Sequence, residues 1–305
     1  MEYFANDLGL PHYGSLEPCW LCSCSARPDS CHPWTDLRSP AAWESTIIDA
    51  EEGIATDFTH HPIGKLECVT RFHASGDMMH TCCLGVAQNM MGSILNELVF
   101  QGPFLGSKDL RVEQVFKLIK KHYDKLNTSS RLGNLTITMF TRKDQWSELH
   151  SKDAESQQLL FAIQYVLQEL HDGSEHHEHR LRCVCSLVRI YQAFKDGDMF
   201  LPRHVAESAL EDLRTMYAHW HWLLSMSVEV GALNWGLKPK LHYMFHIVWH
   251  SRFLNPRFTW CYEWEDHMRS VVMAAKACIA GSPMHLVGCK VIQNARLVLE
   301  ITLEW

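Results

Sequence analysis

The stretch "GDMMH" places Asp77 immediately before an apolar run, with His80 three residues on. An acid in that position has two readings. It can cap a helix through its carboxylate, or it can be one ligand of a catalytic divalent metal ion. A second candidate is "CWLCSCSARPDSCH", with Cys19 and Cys22 at knuckle spacing, then Cys24, Cys31 and His32. Zinc takes four thiolate or imidazole ligands in a tetrahedron, and a C-x2-C turn supplies two of them. Cys24, Cys31 or His32 could complete such a site, although the short spacing to a second pair matches no common finger. A simply cysteine-rich loop is the other reading.

Lys238, His242, His246 and His250 recur every fourth residue, which puts them along one stripe of a helix. His at i and i+4 can bind zinc, but Tyr243 replaces the glutamate of an H-E-x-x-H peptidase motif. A polar stripe, or interior histidines bonded to backbone and acids, is the alternative. His171, His176, His177 and His179 crowd with Glu175 and Glu178 near Gly173, and read as a solvated linker able to take up metal adventitiously. In "WCYEWEDHM", Glu263, Glu265 and Asp266 flank the apolar stripe Trp260, Trp264 and Met268. They either complement a helix N-terminus or supply a carboxylate that shares a metal with Asp77.

The elements that must position these groups follow from composition and periodicity. Hydrophobic residues make up 47% of the chain and charged residues 21%, which specifies a globular core. A net charge of −7 excludes a global basic field for wrapping nucleic acid. The 12 cysteines are crowded at the start or set in apolar stretches, so they read as reduced thiols of an intracellular protein. No signal peptide and no membrane-spanning run are recognised.

Ser39 and Pro40 open a predicted helix over 39–54, and alternation over 64–73 predicts a strand. Leu84, Ala87, Met91, Leu95 and Leu98 then begin a series of helices. Helical patterns continue over 112–126, 153–170, 179–196, about 204–230, 238–254 and 257–281, while 131–142 is either a strand or an irregular crossing. In the helix 112–126, Lys117, Lys120, Lys121 and Lys125 form a basic face.

Two of these blocks together resemble a known family. "GDMMH" followed by "LG" is similar to the D-x-M-H block of CACTA-type (En/Spm-like, including Plavaka-like) DNA transposases. "GLKPKLHYMFHI" and "NPRFTWCYEWEDHM" resemble that family's K-x-H-x-x-x-H helix and its aromatic–Glu–x–x–Met helix. The resemblance spans roughly residues 64–280 and rests on short motifs. It implies an α/β, predominantly helical fold: a partial RNase H-like core interrupted by a large all-helical insertion. It further implies Mg2+ or Mn2+ bound by Asp77 and Glu265, as second and third acids of a DDE triad, with Glu263 and Asp266 as rivals for the third. His80, His242 and His246 would line the cleft, Lys238, Lys240 and Arg257 would lie near transposon DNA, and the protein would be nuclear and capable of homo-oligomerisation.

The first acid is not found. Asp29, Asp36, Asp49 and Asp57 are available, but no strand–hairpin set precedes Asp77. The expectation is a family member without its front end, whose hydrolysis and strand transfer are absent or impaired. A non-catalytic helical protein that binds nucleic acid or another partner is the alternative. The expected organisation is a Cys-rich, zinc-binding segment over 1–38, a partial core over 39–100, a helical insertion over 101–237, and returning helices over 238–305.

Overall fold

A computed structural model describes residues 10–48, 76–128 and 130–261, with Met273 and Lys276. The chain divides into two compact units, Met1–Thr259 and Trp260–Trp305. Among its described residues the first holds six α-helices: α1 (Ala87–Phe100), α2 (Lys108–Leu126), α3 (Asp153–Glu169), α4 (Glu175–Asp196), α5 (Arg203–Glu229) and α6 (Pro239–His250). No β-strand occurs among the described residues, where an isolated bridge joins Ser25 to Pro33. The α/β expectation with an RNase H-like core is therefore corrected: the fold is helical. The segment 131–142 is irregular, with a 3-10 turn at Ile137–Met139, and the predicted strand 64–73 lies outside the described residues.

Local chemistry explains the helix starts. Ser107 Oγ accepts from Leu110 N and opens α2, and Ser174 Oγ accepts from His177 N and opens α4. Glu155 reaches back to Lys152 N at 3.0 Å at the head of α3. Because Ser174 is an effective cap, α4 starts inside the histidine-rich segment, which is the first turns of a helix and not a linker. The predicted helix 39–54 is corrected as well, as far as residue 48: a 3-10 turn spans Ala42–Thr46, and the Ala41 N–H is held by Glu44 Oε1 at 2.9 Å.

The core follows the apolar stripes. α4 packs most extensively on α5, α3 lies against α2 and α4, and α1 runs between α2, α3 and the segment preceding it. Trp220, Trp235, Tyr191, Phe194 and Phe140 are fully buried. Gly92 of α1 is required by a close approach, since a Cβ there would stand 2.5 Å from the Glu148 backbone. Helix α6 carries the continuously buried run Leu241 to Val248 and is covered on most sides, against α5 and Met79–Val86. No helix among the described residues is long and apolar enough to cross a membrane.

Candidate metal centre

The segment 10–48 is largely irregular, yet it holds some of the most deeply buried side chains among the described residues. Trp20, Leu21, Cys24 and Trp43 are 0–1% exposed. The segment is fastened by its own polar contacts: Asp36 accepts from Arg38 Nε at 2.8 Å and from Ala42 N at 3.2 Å, while the Asp36 carbonyl accepts from Trp43 Nε1. The Arg38 guanidinium beside it holds the Asp36 carboxyl below its ordinary range. Thr46 Oγ1 accepts from Ser23 N, and Leu21 O accepts from Ile48 N. Asp36, one candidate for the missing first acid, is thus a turn-building residue.

This segment lies on α6. Trp20 packs on Tyr243 with ring centroids 4.9 Å apart, and Tyr243 donates its hydroxyl to the Pro18 carbonyl. The tyrosine standing where a peptidase glutamate would be is therefore an anchor for the loop. Trp43 meets His242 edge-on at 4.3 Å and Phe245 at 4.9 Å. The packing delivers Cys19 and Cys22 to the histidines of α6, which lie one helical turn apart. Cys19 Sγ is 3.3 Å from His246 Nε2, Cys22 Sγ is 3.3 Å from His242 Nε2, and the two Nε2 atoms are 3.1 Å apart. All four ligand atoms lie within 4.8 Å of one another, and all four residues are at most 8% exposed.

These separations fit one tetrahedral zinc ion. Zn–S near 2.3 Å and Zn–N near 2.0–2.1 Å imply S···N of about 3.5 Å, N···N of about 3.3 Å and S···S of about 3.8 Å. The Leu21 N–H donates to Cys19 Sγ at 3.2 Å, the backbone-to-sulfur bond that a C-x2-C turn forms around its first thiolate. Two imidazole Nε2 atoms facing each other need a proton or a cation between them, because two lone pairs at 3.1 Å repel.

The electrostatics point the same way. Burial opposes ionisation of Cys19, but hydrogen bonds from Cys22 and Cys24 and the neighbouring His246 and His242 rings outweigh it and hold the thiol well below its ordinary range. Cys22 is pushed up by its hydrogen bonds to Cys19 and Cys24 and by burial. Cys24 is raised mainly by its hydrogen bond to Cys19. Burial lowers His242 and keeps its ring neutral, the state in which it ligates a metal. Ionisation is thus favoured at Cys19 over its neighbours, and a dication would favour it at a second sulfur. The Nδ1 atoms of both histidines are buried without a hydrogen-bond partner, so aromatic packing by Trp43 orients the rings where a carboxylate or carbonyl often does.

The remaining sequence-predicted residues lie elsewhere. Cys31 is exposed and sits 3.7 Å from His32 Nδ1, and neither belongs to the four-ligand set. Asp77 caps the head of the helical segment that runs through Met79–Val86: its carboxylate accepts from His80 N at 2.7 Å, and its carbonyl accepts from Thr81 N. The same carboxylate contacts His80 Nδ1 at 2.6 Å. Glu263, Glu265 and Asp266 lie outside the described residues.

The predicted DNA contacts are engaged within the protein. Lys238 pairs with Glu148 at 2.6 Å, and Lys240 donates to the Leu84 carbonyl where the backbone of Met79–Val86 kinks. Arg257 donates to the Lys195 carbonyl. On α2, Lys121 pairs with Glu169, Lys120 lies over Phe116 at 4.5 Å, and all four lysines of that face are exposed.

Sequence reasoning passed over one buried ionic cluster. Glu97 of α1 accepts from Trp235 Nε1 at 2.6 Å and faces Arg180 NH1 at 3.5 Å. Burial pushes its carboxyl up to about 7, against the pull of Arg180 and Trp235. A charged residue in a helix whose buried residues are mostly apolar was the available signal. Comparison with protein-family models, with curated proteins and with solved structures gave no match, so the candidate centre stands on its own geometry.

Proposed function

We propose that Cys19, Cys22, His242 and His246 hold one structural zinc ion, and that the protein works as a zinc-stapled helical scaffold and not as a nuclease. The observation that carries this reading is the closed ligand set: two thiols and two imidazoles, all buried. Catalytic zinc keeps a position open for water or substrate, whereas structural zinc is enclosed by four protein ligands. The ion would tie the irregular Cys-rich segment to α6, two parts of the chain 220 residues apart between Cys22 and His242.

Transposase descent remains a proposal that rests on the short motifs. In this chain those motifs have structural tasks that favour the non-catalytic alternative. K-x-H-x-x-x-H supplies the two imidazole ligands and the Lys240 contact to the kink, and Asp77 caps a helix. Two-metal hydrolysis with Mg2+ or Mn2+ would require Asp77 and Glu265 to share an ion. DNA is the partner class that the motifs imply.

The test has two arms. Metal analysis of protein purified without added metal should give one zinc per chain, reduced in Cys22→Ser and His246→Ala. Incubation of supercoiled DNA with the zinc-loaded protein and Mg2+ or Mn2+ should give no nicking. Absence of zinc would overturn the structural centre. Metal-dependent nicking abolished by Asp77→Asn would overturn the scaffold reading in favour of the nuclease.

A further inference from the structure

We propose that His179 and His219 form a second metal site, taking one imidazole-preferring divalent transition ion between α4 and α5. His179 comes from the histidine-rich segment, whose other members are committed differently. His177 is buried and contacts the Leu167 carbonyl at 2.8 Å, His171 pairs with Glu178, and His176 faces Glu97. His179 instead points across to α5, where its Nδ1 lies 3.0 Å from His219 Nδ1. Two nitrogens about 2.0 Å from one ion stand about 2.8 Å apart in a square-planar arrangement and about 3.3 Å apart in a tetrahedral one. The observed pair falls between these limits.

Three features make the pair more than a chance contact. The His179 ring stacks on Trp222 with centroids 3.9 Å apart and an interplanar angle of 18°, which fixes its plane. Its opposite nitrogen, Nε2, faces Glu175 Oε1 at 4.0 Å. At that distance the contact is electrostatic and not a hydrogen bond, and it favours a proton on Nε2, which leaves the metal-facing nitrogen bare. The two ligands also come from the most extensively packed pair of helices, so the backbone positions are rigid.

Burial disfavours the protonated form of both rings, chiefly opposed at His179 by Glu175 and Glu178, and reinforced at His219 by His179 and Arg182. Both imidazoles are therefore neutral at physiological pH, as metal ligation requires. Without an ion the pair shares one N–H···N hydrogen bond, and the ion would replace that bridging proton. Among the described residues no third His, Cys, Asp or Glu completes the set. The ion would keep positions for water or an added ligand and would exchange more readily than zinc in the four-ligand centre. Imidazole pairs suit Cu2+, Ni2+ and Zn2+, and Cu2+ is the most strongly held of the series.

Cu2+ is the probe. The full chain with its zinc retained is titrated in a weak competing chelator, with electron paramagnetic resonance on the first equivalent bound. The expected signal shows two imidazole nitrogens, and fluorescence of the stacked Trp222 is quenched in step. His179→Ala and His219→Ala should each weaken the first equivalent at least tenfold, while His221→Ala, an exposed neighbour on α5, should leave it unchanged. Circular dichroism and zinc content establish that each variant is folded, and neither should change. Trp222→Phe should retain the resonance signal and lose the quenching. Equal affinity in the parent and both histidine variants, or a first equivalent that expels the zinc instead, would overturn the proposal.

Discussion

Removing the metal from the four-ligand centre should release one part of the protein and leave the rest folded. The ion would close a loop of 220 residues between Cys22 and His242. Treated as a cross-link that restricts the unfolded chain, a loop of that length is worth about 5 kcal/mol. For a unit of this size each kcal/mol shifts the melting temperature by roughly 2–4 °C, so a strong chelator should lower it by about 10–20 °C. Cys22→Ser should reproduce the loss without chelator, and Cys31→Ser should not, because Cys31 is exposed and outside the ligand set.

Hydrogen exchange locates the effect. Amides of the segment 10–48, which wraps Trp20 and Trp43 against α6, should lose protection first. Those of α1 to α5 should hold, since these helices pack on one another and the segment touches them at the Glu44–Arg214 ion pair of α5. Helical circular dichroism should be nearly unchanged at 25 °C. The reasoning is refuted if metal-free and metal-loaded protein melt together, or if Cys31→Ser matters as much as Cys22→Ser.

Asp77→Ala should cost about 1 kcal/mol in denaturant unfolding, the worth of an N-cap, and Asp77→Asn much less, because Asn also accepts the His80 N–H. A cost several times larger would mean that Asp77 does more than cap. Glu97 has a pKa of about 7 in the fold against an ordinary 4.5, so the folded state holds its proton while the unfolded state releases it. Stability of the parent should therefore fall as pH rises from about 4.5 to 7 and level off above. Glu97→Gln should remove roughly 3 kcal/mol of that dependence, read as the difference between the two pH–stability curves. Gly92→Ala should destabilise by about 1–3 kcal/mol despite its better helix propensity, because the added methyl would meet the Glu148 backbone; thermal unfolding checks it.

Much of the helical architecture was legible in the amino-acid order. Apolar residues at three- and four-residue steps specify α2 to α5 because each of these helices buries one stripe, and that pattern is local. Both halves of the candidate metal centre were legible too. Cys19 and Cys22 carry knuckle spacing, and His242 and His246 lie one helical turn apart.

Their pairing was not legible. Knuckle spacing invites a partner nearby, and Cys31 and His32 were the nearest candidates. The actual partners lie 220 residues away and are brought in by Trp20, Trp43 and Tyr243, whose packing is a property of two surfaces and not of either segment. The same holds for Asp77. Its place before an apolar run fits a cap and a catalytic acid equally well, and the contact that shows it capping, the His80 N–H on its carboxylate, is seen only in the folded chain. Local order thus determined which side chains could ligate, cap or pack, since spacing along a helix or turn is set by backbone geometry. The tertiary structure alone decided which of them meet, because long-range contacts arise from burial of whole apolar faces and leave no periodic trace in the sequence.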